Sequence, residues 1–281
     1  MAAARLQPVA PGASAAAGLT GAHAAEAVAA AKRSPWWLEL LLVGWLAFVY
    51  DAINNLAPVR LHLALAHARG VLQIEQWFGI DVERPLDHWL AAHPTLGLVV
   101  SDYYDNAHFI VTFALLGWLW WARAEIYRPL RNMLLLCNVL AFAVFWGFPV
   151  APPRMLGGFV DVVASSGAIG SWHGHSGLAS QANELAAMPS LHLAWAAWCT
   201  LAVWRATRRV WARALALLYP CLTTFGVLAT GNHFVLDVLA GLLTFAASVA
   251  IVELVEAALA RRRGRSAGAG SGSGPAAAAT S

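Results

Sequence analysis

The sequence predicts an all-α, polytopic membrane protein: a six-transmembrane-helix bundle with an interfacial helix in its first outer loop. Three observations lead there. The 281 residues are 59% hydrophobic and only 12% charged, with a mean hydropathy of +0.60, which is too apolar for an ordinary soluble domain. The apolar runs are spread from Trp36 to Ala260 and leave no stretch for a separate globular module. Lys and Arg cluster in alternate intervals between those runs, the pattern that membrane topology imposes.

Taken in order, residues 1–34 are rich in Ala, Pro and Gly and read as a disordered cytoplasmic tail. They contain no short apolar core followed by a cleavage site, so the first apolar run, preceded by Lys32 and Arg33, reads as an uncleaved signal anchor. A membrane-spanning helix needs roughly 20 mainly apolar residues. Six segments meet this, near 36–56, 99–122, 131–151, 189–206, 211–230 and 233–258, within a membrane catalytic domain over 35–260. Residues 261–281 are basic and then Gly, Ser and Ala, and read as a second disordered cytoplasmic tail.

All but four of the 18 Lys and Arg fall in one set of intervals: Arg5, Lys32 and Arg33; Arg123, Arg128 and Arg131; Arg205, Arg208, Arg209 and Arg213; Arg261, Arg262, Arg263 and Arg265. The other set holds Arg60, Arg69, Arg84 and Arg154. The positive-inside rule therefore puts both termini in the cytoplasm and the intervening outer loops on the far side. Topology also accounts for the net charge of +3 without a nucleic-acid partner. Cys137, Cys199 and Cys221 lie inside apolar runs, lack metal-ligand spacing and read as small buried hydrophobes.

The first outer loop carries His62, Arg69, Gln73 and Gln76 as a narrow polar stripe on an apolar helix, with Trp77 and Phe78 alongside. Such a helix lies in the membrane interface or packs against the other spans. The second, from Val150 to Met188, is punctuated by GGF, SSG and HGHSG and reads as irregular structure covering a site. Trp36, Trp37, Trp120, Trp121, Trp204 and Trp211 near span ends read as interfacial anchors.

The chemistry gathers in two short runs, MPSLH at Met188–His192 and GNHFVLD at Gly231–Asp237. His233 and Asp237 are four residues apart, about 6 Å along one helix face. A carboxylate there orients one ring nitrogen and leaves the other as a nucleophile or base; the plainer reading is a buried pair that satisfies itself. Pro189 suits the first helical position of the fourth span, and Asn232 suits the N-cap of the sixth. Two helix N-termini carrying His192 and His233 on one side of the membrane imply an oxyanion substrate. Arg154, in APPRM, is the one Lys or Arg of the second outer loop and can grip two phosphate oxygens at once; a snorkelling surface charge is its plainer reading.

PPR, AAMPSLH and HFVLD, in this order and separation, resemble the three signature motifs of the type 2 phosphatidic-acid phosphatase superfamily. The resemblance covers Trp36 to Ala260. It implies a six-helix enzyme that transfers or hydrolyses phosphate esters with no metal or cofactor. It implies that His233 attacks phosphorus to form a phosphohistidine and that Asp237 orients its ring. It implies further that His192 protonates the departing alkoxide and then deprotonates the acceptor, while Arg154, Ser190 and the backbone at Leu191 hold the phosphoryl oxygens. The family usually has a lysine where this chain has Gly147, an arginine where it has Val227 and a glycine where it has Leu191. This reduced set looks more like the inositolphosphotransferase and inositol-phosphorylceramide synthase branch, and fewer cations suit a diester better than a dianionic monoester.

Tyr104 and His108 share a face near the outer end of the second span and line a possible substrate entrance, or form a satisfied interfacial pair. Asp51 pairs with Arg60 or snorkels, and His173 with His175 is an HxH lacking a third metal ligand. The expected activity is a lipid phosphotransferase moving a phosphoinositol-type head group from a phospholipid to a lipid alcohol at the outer leaflet of the plasma membrane. Hydrolysis of a lipid phosphate or polyprenyl diphosphate is the alternative, and a transporter or haem-binding bundle is the alternative of another class.

Overall fold

The structure, a computed structural model, describes residues 34–44, 60–167 and 185–270. Those residues are helical, with no strand among them. In chain order the helices are α1 (Leu61–Phe78), α2 (Glu83–Ala91), α3 (Pro94–Ala122), α4 (Ala124–Gly147), α5 (Val162–Ser166), α6 (Leu191–Ala206), α7 (Val210–Ala229) and α8 (Val235–Gly270). A further helical piece spans 36–44.

Three of these, α4, α7 and α8 over Val235–Arg262, are long and apolar enough to cross a membrane. The second and fourth expected spans correspond to helices α3, of 29 residues, and α6, of 16, neither of which is among those three. The first lies mostly outside the described residues. Boundaries shift for local reasons: Pro94 at the first helical position starts α3 five residues before the expected 99, and α4 includes the charged turns at Arg128 and Arg131. At α6, Ser190 is the N-cap, so Pro189 stands outside the helix and not at its first position.

The bundle is centred on α6, which packs against α3, α4, α7 and α8. Small residues let the backbones approach: Ala194, Ala196, Cys199 and Ala202 are all buried on α6. Trp198, fully buried among them, donates its indole N–H to the Leu130 carbonyl of α4 at 2.8 Å. Trp195 donates to Asn138 Oδ1. The outer surface is apolar, with Ile110, Leu222, Leu243 and Leu254 exposed, as a lipid-facing surface requires. Cys137 and Cys199 are buried as expected, but Cys221 faces outward from α7.

Basic residues collect at one end. Arg131 and Tyr127 of α4 both hold Glu39 of the 36–44 piece, and Arg205 of α6 pairs with Glu253 of α8. The other end carries the starts of α3, α6 and α8. There α1 buries Ala64, Ala68, Val71 and Glu75, while His62, Arg69, Gln73 and Gln76 face outward. The polar stripe is therefore the outer face of a helix packed on the bundle. The segment after α4 and the segment before α6 are stitched by a short parallel bridge: Val150 N–H donates to Leu185 and Ala187 N–H to Val150, each at 3.0 Å.

Trp198→Ala removes a fully buried indole and its hydrogen bond, and is expected to cost about 3–5 kcal/mol of stability. A large fall in the thermal unfolding midpoint of purified protein in detergent checks this.

Candidate active site

One close approach sets the geometry at the end of the bundle opposite Arg131 and Arg205. Ser190 N–H donates to the Asp237 carbonyl at 2.9 Å, which docks the start of α6 on the first turn of α8. Gly241, one turn further along α8, makes this possible. A Cβ there would lie 2.3 Å from the Ser190 carbonyl oxygen and 3.1 Å from its carbon, so no side chain fits.

Docking brings His192 and His233 together although 41 residues separate them: His233 Nε2 lies 3.4 Å from His192 Nδ1. His233 is buried, and its other nitrogen, Nδ1, is 2.9 Å from the Ala187 carbonyl and 3.4 Å from Asp237 Oδ2. A carbonyl can only accept, so Nδ1 carries the hydrogen and Nε2 presents a lone pair. The Ala187 carbonyl, next to the Val150–Ala186 bridge, is thus the nearer orienting group. Asp237, fully buried, stands behind it and receives the Phe234 N–H on the same Oδ2 at 2.9 Å.

Arg154 enters from the short turn Pro153–Met155. Its N–H donates to the Gly231 carbonyl at 2.8 Å, and its side chain is 8% exposed. One guanidinium nitrogen donates to Asn232 Oδ1, and Nε pairs with Asp161 at 3.3 Å. The guanidinium is thereby fixed next to the residue that precedes His233. Asp161 also caps α5 by accepting from Ala164 N–H. Gly231, at φ +64, closes the turn, and a Cβ would meet Asp87 Oδ1 of α2 at 3.0 Å. Burial pushes the Asp87 carboxyl above the usual carboxylate range, partly offset by the N–H of Val160 that it accepts.

The two expected helix N-termini behave differently. At α6 the first intrahelical bond is Ala194 N–H to Ser190, so the N–H groups of Leu191, His192 and Leu193 belong to the open turn. The Ser190 hydroxyl there is fully buried with no partner among the described residues. At α8 the expectation fails. The His233 N–H donates to Val227, the Phe234 N–H to Asp237 and the Leu236 N–H to Glu75. Asn232 caps nothing there, being held by Arg154 and Thr230. The start of the sixth expected span spends these three donors on its own protein, which leaves the start of α6 and Arg154 as the candidate groups for an anion.

Tyr104 and His108 lie against His192 itself. The Tyr104 ring stacks on it at 4.5 Å between centroids, and His108 meets it edge-on at 4.3 Å. With Tyr103, Thr223 and Gly226 they line a cleft between α3 and α7 that reaches His192. Sequence reading missed Gly241, Asp161, Ala187 and Glu75. A glycine four residues after the motif aspartate was the one available signal for Gly241. His173, His175 and Asp51 lie outside the described residues, and among the described residues no three His, Cys, Asp or Glu are grouped to hold a metal ion.

The family model of the PAP2 superfamily matches residues 69–251 of this chain. No curated protein and no solved structure matches it.

Gly241→Ala is expected to lower stability by about 3 kcal/mol, the upper range for overpacking against backbone. Gly117→Ala, with open space around it, is expected to leave it unchanged or raise it by up to ~1 kcal/mol. Paired thermal unfolding of the two variants checks the contrast.

Proposed function

This chain belongs to the PAP2 superfamily, and on that premise we propose that it is an integral membrane lipid phosphotransferase that works through a covalent intermediate on His233. The coarser reading, a membrane-associated lipid phosphatase or phosphotransferase, follows from the family match and the three apolar helices. The observation that carries the finer one is the pairing of His233 Nε2 with His192 Nδ1 at 3.4 Å, beside a guanidinium fixed on Asn232 and Asp161.

In this scheme the phosphoryl group replaces the direct contact of the two rings, which part to admit it between them. The Nε2 lone pair of His233 attacks phosphorus and the bond to the leaving oxygen breaks. His192, protonated, gives its proton to that oxygen. The carboxylate of Asp237 offsets the positive charge on the His233 ring. Neutral His192 then takes a proton from the incoming hydroxyl, whose oxygen attacks phosphorus and returns the electron pair to Nε2. Arg154, the Ser190 hydroxyl and the Leu191 N–H hold the non-bridging oxygens, whose charge is largest in the transition state. Tyr104 and His108 form the wall on which the substrate reaches His192.

An alcohol or water can resolve the same intermediate. The charge of the pocket favours transfer of a diester head group: Arg154 is half neutralised by Asp161, and Gly147 and Val227 add no cation. Hydrolysis of a lipid phosphate or polyprenyl diphosphate is the competing outcome. The accompanying topology is six crossings of the plasma membrane with both termini cytoplasmic and the site outside.

His233→Ala and His192→Ala are each expected to reduce turnover by at least ~10²-fold while insertion and folding persist, and EDTA is expected to leave activity unchanged. Turnover of a labelled phospholipid donor, with product identified by chromatography, measures this; restoration by zinc after chelation contradicts it. A lipid alcohol acceptor is expected to yield a new phosphodiester lipid, whereas free phosphate irrespective of acceptor means hydrolysis. Arg154→Lys, which loses the planar fork, is expected to raise KM and lower kcat together.

A further inference from the structure

Glu75 and Glu83 are, with Asp87, the fully buried acids outside the proposed chemistry. Both are fully buried, on different helices of the first outer loop. Glu75 Oε1 accepts the Leu236 N–H of α8 at 2.6 Å. That donor lies three residues after His233 and directly before Asp237. The second oxygen of Glu75 and both oxygens of Glu83 meet no donor among the described residues, and the nearby Glu83 carboxyl adds to the burial that raises the hold of Glu75 on its proton. Two carboxylates cannot hydrogen-bond each other; a carboxylic acid and a carboxylate can.

We propose that Glu75 and Glu83 share one proton and together act as a positioning clamp that fixes the start of α8, and with it His233 and Asp237, from 158 residues upstream. The inference rests on the proposed roles of His233 and Asp237. Oε2 of Glu75 donates to Glu83, and Oε1 remains to accept from Leu236. Burial, the hydrogen bond to Glu83 and the charges of Glu83 on α2 and Asp237 on α8 all hold the Glu75 carboxyl protonated well above the usual carboxylate range. The shared proton keeps the cluster at two negative charges instead of three, which lowers the cost of burying it, and the N-terminal dipole of α8 offsets part of the charge that remains. Without the clamp Leu236 N–H is unsatisfied and the helix start is free to fray, moving the nucleophile by a fraction of an ångström from a geometry on which the reaction depends steeply.

Four full-length variants in detergent test this: Glu75→Gln, Glu75→Leu, Glu75→Asp and Glu83→Gln. Gln at 75 still accepts from Leu236 and donates to Glu83, so kcat is expected within about threefold of wild type. Leu cannot accept, and Asp is one methylene too short. Both are expected to lose about 10–100-fold in kcat with KM little changed, the size of effect that misplacement brings, and Asp keeps the test open if Leu does not fold. Hydrogen exchange of peptides covering 231–240 should quicken in Leu and Asp but not in Gln, a readout independent of the reaction. Infrared spectroscopy of the wild type at neutral pH should show a buried protonated carboxyl band that Glu75→Gln abolishes and Glu83→Gln shifts. Wild-type kcat and exchange in Glu75→Leu or Glu75→Asp, loss in Gln equal to that in Leu, or no protonated band in the wild type overturns the proposal. An active His233→Ala enzyme with the exchange contrast intact refutes the catalytic reading while leaving the clamp standing.

Discussion

The site depends on a single backbone approach, Ser190 against Gly241. Helix α6 is the trunk of the bundle and α8 is packed along it, but packing alone leaves their starts free to slide. The hydrogen bond from Ser190 N–H to the Asp237 carbonyl, permitted because Gly241 has no side chain, fixes the register. From that register follow the 3.4 Å separation of the histidine rings and the reach of Nδ1 to Ala187. The Val150–Ala186 bridge then carries the constraint to the Arg154 turn, so three distant motifs form one end.

Charge burial explains why this end is built from so many shared contacts. Asp87, Asp105, Asp237, Glu75 and Glu83 are all buried within it, against the Arg154 guanidinium held on Asn232 and Asp161. Isolated charges of this kind are costly to remove from water, and only pairing or protonation makes them tolerable. The protein uses both. Asp161 and Asn232 hold Arg154, backbone N–H groups serve Asp237 and Asp87, and Glu75 keeps its proton. An apolar bundle of the same shape has no need of them, which is the physical reason to connect them with chemistry.

The helices and the two histidines were legible in the sequence because apolar runs and the MPSLH and GNHFVLD motifs are local signals. Boundary errors came from Pro94, which starts α3 early, and from Pro189, which precedes the Ser190 cap. Asn232 was legible as a residue next to His233 but not as a partner of Arg154, because N-cap chemistry is local and that contact spans 78 residues. Glu75 was hidden for a related reason. It sits between Gln73 and Gln76 on a helix whose visible stripe is the outer one, and nothing in its spacing points to Leu236, 161 residues away. Tyr104 and His108 were found by their shared helical face, whereas their stacking on His192 required the docking of α3 on α6.

The central claim is that His233 Nε2 becomes bonded to phosphorus. The most direct measurement is mass spectrometry of the enzyme quenched in alkali during turnover of a phospholipid donor, since phosphohistidine survives base and is lost in acid. The account predicts a phosphorus-containing adduct on the peptide bearing His233, longer lived in the absence of a lipid alcohol acceptor. Active enzyme with no adduct, or with the adduct on another residue, contradicts it.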